Sequence, residues 1–186
     1  MAFWALAAAW VVFEVWVQLR SRSAAPSPGH QRDGGTMPLL IGGVWGAVAG
    51  GLALAGWVPV GRLPDPGSAL VAAGGVMMAA GIALRWWAVR TLGRHFQVRI
   101  TTSADQRLVQ TGPYRWIRHP GYTGALLTVA GCLCCCADLA SWALLALPLA
   151  AYGRRVGLEE RALADRFGEG YRAYAAGRKR LIPFLF

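Results

Sequence analysis

Three groups of residues in this chain have side chains able to hold or move a chemical group. The first is Tyr114 with His119, Pro120, Gly121 and Tyr122, all within the run GPYRWIRHPGYTG. A residue before proline is pushed away from helix, and proline fits the first position of one, so Gly112-Pro113 and His119-Pro120-Gly121 are turn points. His119 is therefore expected at the cap of a helix from Pro120 to Cys136, with the backbone N–H groups of Gly121 and Tyr122 unpaired at its start. Free donors at the positive end of a helix suit a carboxylate. His119 can add a side-chain hydrogen bond, and Tyr114 and Tyr122 can add rings or hydroxyls. The same pattern also suits an ordinary helix entry with interfacial aromatic and basic residues, which is common in membrane proteins.

The second group is Arg155 and Glu159, four apart and so on one face of a helix. They are compatible with a surface ion pair. Arg155 nevertheless lies one turn from the apolar stretch Ala146 to Ala151, close to a membrane interface, where an ionisable group tends to face a cavity and not lipid. Glu159 can accept hydrogen bonds from a ribose or an amino group. Glu160, Asp165 and Glu169 read as solvated. The third group, Cys132, Cys134, Cys135 and Cys136, crowds into five residues. Contiguous cysteines on a helix point in different directions, so they read as small packing residues, with no metal site and no disulfide framework implied.

The elements that position these groups follow from composition. The chain has 186 residues, 55% hydrophobic and 15% charged, which fits one unit of packed membrane helices better than a soluble domain. A hydrocarbon core of about 30 Å needs roughly 20 apolar residues. Ala2 to Leu19, Pro38 to Val60 and Ser68 to Trp87 meet or approach that. The first lacks a basic leader and holds Glu14 and three Trp, so it is expected to be a retained helix and not a signal peptide. The fourth stretch, Tyr122 to Leu149, is too long for one upright span and too short for two. A turn at Cys136-Ala137-Asp138-Leu139 would make it a hairpin of two short helices.

Basic residues choose between the two. Three follow the first span, Arg62 alone separates the second and third, seven lie from Arg85 to Arg118 and eight from Arg154 to Arg180. A hairpin puts 18 of the 19 on one face, which the positive-inside rule makes cytoplasmic. The net charge of +10 then reflects topology and anionic headgroups, and nucleic acid is not needed to explain it. The expected architecture is an all-α integral membrane protein of about five membrane helices, the last two a hairpin over 122–149. Residues 1–87 form an amino-terminal membrane unit and 88–186 the half that carries the chemistry. Ser21 to Thr36, with His30, and Gly61 to Gly67, with Pro64 and Pro66, are loops. Glycines in the second and third spans, Gly74 and Gly81 among them, suit close helix packing. Leu163, Phe167, Tyr171 and Tyr174 follow helical spacing, with a break at Gly168, and read as packing.

The set GPYRWIRHPGYTG, an apolar hairpin, then LEERALADRFGEGYRAY and LIP resembles the carboxyl-terminal half of the isoprenylcysteine carboxyl methyltransferase family and its bacterial relatives, which are also similar to phospholipid methyltransferases. The resemblance covers Arg85 to Pro183. It implies S-adenosylmethionine as methyl donor, held in a cytosol-facing pocket, and a lipid-like or isoprenoid acceptor arriving through the bilayer. By position it implies cofactor contacts from Gln106, Arg107, Leu108, Val109, Tyr114, His119, Pro120, Gly121, Tyr122 and Glu159. It implies that Arg155 binds the acceptor. The segment between Phe96 and Leu108 is shorter than in eukaryotic members, so contacts from Val98 to Thr102 are not carried over.

The reading is thus a plasma-membrane carboxyl methyltransferase without a metal. Two alternatives stay open. An amine acceptor would need deprotonation, with Glu159 or Glu160 as candidate bases. Some membrane reductases that use NADPH share a carboxyl-terminal hairpin and closing aromatic motifs.

Overall fold

The computed structural model describes residues 2–23, 34–57, 67–93, 96 and 107–181. The expected loop tips at 24–33 and 58–66, Gln106, the Val98 to Thr102 segment and the closing Ile182-Pro183 lie outside the described residues. Among the described residues the chain is all-helical apart from turns and one isolated parallel bridge between Ile117 and Lys179. Helices α1 (Ala2–Ser23), α2 (Thr36–Trp57) and α3 (Gly67–Leu92) are each long and apolar enough to cross a membrane. Their outer faces leave Trp4, Val12, Leu39 and Val76 exposed. Such surface is a liability in water and a match for lipid tails.

Helix α3 does not stop at Trp87, as its apolar stretch suggested, but runs to Leu92. Two arginines lie inside it and neither breaks it. Arg85 is ion-paired with Glu14 of α1, and the Arg90 guanidinium sits 4.7 Å from the centre of the Trp86 ring.

Helix α4 (Pro120–Cys135) begins where the two prolines direct it, after a single 3-10 turn at Gly112–Arg115. At 16 residues it spans about 24 Å, short of a full crossing. The chain then turns at Ala137, whose φ of 53° is left-handed. Asp138 caps the next helix, α5 (Leu139–Ala143), by accepting from Ala140 N at 3.0 Å and Ser141 Oγ at 3.2 Å. The turn falls at the expected Cys136-Ala137-Asp138-Leu139. The return arm differs from the expected single short helix. It breaks after α5, and α6 (Ala146–Phe167) then runs on without interruption through Arg155 and Glu159. Gly168, at φ 53°, ends α6, and α7 (Glu169–Ala176) follows.

The most extensive contact is between α3 and α4, and it depends on paired glycines. A Cβ added at Gly81 would fall 2.6 Å from Gly124 O, and one at Gly131 would fall 2.6 Å from Gly74 O. As α3 advances from 74 to 81, α4 retreats from 131 to 124, so the two run antiparallel with their backbones touching. The cysteines take their place in this seam as packing residues. Cys132 and Cys134 are buried, and the Cys134 and Cys135 thiols donate to Leu70 O and Val71 O at the start of α3. One apolar cluster joins α1 to α4 through Trp10, Ala47, Met78, Val129 and Leu133; a second, with Leu40, Ala125 and Tyr152, ties in α6.

Candidate active site

A cavity of about 520 Å³ opens between α1, α2, α3, the start of α4, α6 and α7. Its lining differs in chemistry from element to element. Helices α1 and α2 contribute the apolar Trp10, Val15, Leu40, Ile41 and Trp45, of which Val15, Ile41 and Trp45 are exposed. Arg107, Leu108 and Val109 enter the cavity from the segment before the 3-10 turn, Tyr114 from the turn, His119, Gly121 and Tyr122 from the head of α4, and Arg155 and Glu159 from α6. Pro120 does not line it; as the first residue of α4 it is buried.

The head of α4 is built as the prolines require, with His119 as its cap residue. One feature differs from expectation. The Tyr122 N–H is not free, because it donates to His119 O at 3.0 Å, as does Thr123 N at 3.1 Å. The early turn closes on its own carbonyl, so a ligand here would meet side chains more than backbone donors. The carboxyl-terminal tail fixes this corner. Arg118 N donates to Lys179 O at 2.8 Å, His119 N to Arg180 O at 3.0 Å, and Thr123 Oγ1 to Leu181 O at 2.6 Å. Tyr174 OH donates to Tyr114 O at 2.9 Å and pins the 3-10 turn to α7.

The centre of the site is the Tyr122 hydroxyl. It donates to Glu159 Oε2 at 2.5 Å and accepts from Arg155 Nε at 2.9 Å, while Arg155 Nη1 donates to Thr36 Oγ1 at the start of α2. Arg155 is 2% exposed. A hydroxyl shared between a guanidinium and a carboxylate is held by two charge-assisted bonds, so the three side chains form one rigid unit. Tyr122 also stacks on His119, with ring centres 5.5 Å apart.

Glu160 corrects a further expectation. It is not solvated: its side chain is 12% exposed and lies 2.7 Å from Arg118 Nη1, 3.1 Å from Arg180 Nη2 and 3.3 Å from His119 Nε2. Burial pushes its carboxyl up, but the His119 hydrogen bond and the Arg118 and Arg180 charges outweigh that, so it stays below the ordinary carboxylate range. Glu169, by contrast, is exposed as expected. Tyr171 and Tyr174 also line the cavity, and burial pushes both hydroxyls up to about 12, so they are neutral donors at physiological pH. Their helical spacing was visible in sequence; that they face a cavity was not. Glu14 and Arg85 were likewise not singled out for chemistry. The available signal was a carboxylate inside an apolar span, which is costly unless it has a use.

Three comparisons with known proteins agree with one another. Residues 74–165 match the isoprenylcysteine carboxyl methyltransferase family. A probable protein-S-isoprenylcysteine O-methyltransferase of Oryza sativa subsp. indica is 34% identical over 113 residues, covering 59% of each chain. The protein-S-isoprenylcysteine O-methyltransferase of Xenopus laevis is 32% identical over 120 residues, 59% of this chain and 39% of that one. The solved structure of the eukaryotic intramembrane Ras methyltransferase of this family, determined without a monobody, superposes with a TM-score of 0.60 at 25% identity. That match covers 80% of this chain and 53% of the other. The chain thus spans about three fifths or less of the length of these relatives. With its three apolar helices the protein is an integral membrane protein, and the segment that matches the isoprenylcysteine carboxyl methyltransferase family contains the cavity's Arg85, His119, Tyr122, Arg155 and Glu159.

Proposed function

We propose that the protein transfers a methyl group from S-adenosylmethionine to the carboxylate of a lipid-like acceptor, an isoprenylated cysteine or a close analogue. The observation that carries this reading is a cavity that apolar residues of α1 and α2 line together with Tyr114, His119, Tyr122, Arg155 and Glu159. A water-soluble donor and a membrane-dissolved acceptor need such a chamber if they are to meet. The basic residues at 107–118 and 154–180 support a cytoplasmic position for the polar part of the lining, where the donor is available. On this reading α4 and the α5–α6 arm form the membrane hairpin, for about five membrane helices in all.

The polar part suits the donor. Arg118 and the Tyr171 hydroxyl lie buried against each other beside this part of the cavity. The Arg118 guanidinium supplies positive charge suited to an amino-acid carboxylate. His119, Tyr114 and the backbone at Arg107 to Val109 complete the enclosure, and Glu159 is placed to accept from a ribose or an amino group. S-adenosylmethionine, when bound, supplies a methyl group on a positively charged sulfur.

An acceptor carboxylate, ionised at neutral pH, needs no base. The protein's work is alignment and exclusion of water. Arg155, held by Tyr122 and Thr36, lines the chamber and supplies the positive charge that orients the acceptor carboxylate; with its donors already shared it holds that group moderately, and a fully neutralised carboxylate attacks poorly. Of the two carboxylates that an amine acceptor could use as a base, Glu160 is held below the ordinary carboxylate range by His119, Arg118 and Arg180, which makes it a weak one. The relatives above are named as methyltransferases, and nothing in the site favours a nicotinamide reductase. Calorimetry with the detergent-purified protein tests the reading. Micromolar S-adenosylmethionine binding by the parent, abolished in His119→Ala and Glu159→Ala, is the expected result; a folded parent that does not bind it refutes the proposal.

A further inference from the structure

Glu14 is a carboxylate inside the first membrane helix, and nothing in the proposed reaction uses it. Its side chain is 17% exposed and lines the same cavity as Trp10 and Trp45, Tyr122 and Arg155. It takes Arg85 of α3 in a two-pronged grip, Nε to Oε1 at 2.6 Å and Nη2 to Oε2 at 2.9 Å. The remaining fork nitrogen, Nη1, donates to Gly121 O at 3.0 Å, one residue from Tyr122. Arg85 also lines the cavity. The pair therefore links α1 to the head of α4, one residue from the Tyr122 that holds Arg155, and so lies beside the group proposed to receive the acceptor's carboxylate.

A brace between helices does not require charge, and burying an ion pair is costly. What the carboxylate adds is control of the field at this point. Arg85 with Glu14 presents a neutral pair to the acceptor; Arg85 without Glu14 presents a positive charge in a low-dielectric chamber. We propose that Glu14 determines acceptor specificity: by neutralising Arg85 it prevents the site from gripping an anionic head group too tightly, which keeps an acceptor carboxylate loosely held. This rests on the reading of the cavity as the acceptor chamber.

The test compares the parent with Glu14→Gln and Glu14→Asp, measuring equilibrium binding of N-acetyl-S-farnesylcysteine and of its neutral carboxamide. Releasing Arg85 adds one or two charge-assisted bonds to the acid alone. Glu14→Gln is expected to raise the acid-over-amide preference by about tenfold or more. In the same variant kcat on the acid is expected to fall. Glu14→Asp is shorter by one methylene and loses part of the two-pronged grip, so it moves the ratio in the same direction by about two- to fivefold. It carries the test if Glu14→Gln does not fold.

A purely structural brace would weaken acid and amide binding together and leave their ratio unchanged, and that result overturns the proposal. So does failure of the acid to bind any of the three proteins. S-adenosylmethionine binding is measured alongside. Its absence from all three would sink the proposed function, while the acid-over-amide ratio would still decide the role of Glu14.

Discussion

Replacing Gly124 by alanine tests whether the α3–α4 seam holds the site together. The added Cβ would lie 2.7 Å from both Arg85 N and Gly81 O, backbone atoms that cannot rotate away. Ordinary carbon to oxygen or nitrogen contact is nearer 3.4 Å, so the helices must separate by roughly 0.5–1 Å, a gap that forfeits about a quarter to a half of each contact's dispersion energy. Overpacking of this kind costs about 1–3 kcal/mol. In a bilayer no hydrophobic term offsets it, because helices there associate through close packing. The expected loss is therefore at the upper end, about 3 kcal/mol. Arg85 shares this contact and grips Gly121 O, so S-adenosylmethionine affinity should fall as well. Thermal unfolding in detergent, followed by circular dichroism, measures the first effect and calorimetry the second. Gly42→Ala and Gly46→Ala are the controls. A Cβ at either meets nothing within 4 Å, and alanine favours helix by about 1 kcal/mol, so both should be neutral or mildly stabilising. If Gly124→Ala unfolds with the parent while the controls are destabilised, the steric reasoning is wrong.

Tyr122→Phe deletes the hydroxyl that joins Arg155 to Glu159, two bonds to charged groups, and should weaken S-adenosylmethionine binding by about 10- to 100-fold with the protein still folded; unchanged affinity by calorimetry would remove Tyr122 from the site. Glu160 gives a pH signature. Its folded carboxyl sits below the ordinary value of 4.5, so its contribution to stability is present above that value and is lost as pH falls through the folded one. The parent's melting temperature should thus drop more steeply below pH 4.5 than that of Glu160→Gln, and parallel curves would contradict the ion-pair assignment.

What could be read from the sequence were features that depend on near neighbours in the chain. Apolar length decided the three long helices, X-Pro chemistry decided the start of α4 at Pro120, and the four-residue spacing put Arg155 and Glu159 on one face of α6. Such features are local because a peptide plane or a helix turn involves only the adjacent few residues. The family motif is a further local feature, since its residues cluster in two short blocks. Partnerships across helices were not legible. Glu14 and Arg85 lie 71 residues apart and Tyr122 and Glu159 37 apart, so nothing in either local pattern names the other partner. Glu160 looked like a solvated surface acid, and only the folding of the tail against residues 117–119 encloses it between Arg118 and Arg180. The end of α3 shows the same physics in reverse. Arg85 looked like a residue near the end of a span, yet the ion pair with α1 allows the helix to carry that charge and continue. Tertiary structure decided these points because the cost of burying a charge depends on what lies across the cavity, and helix packing alone sets that.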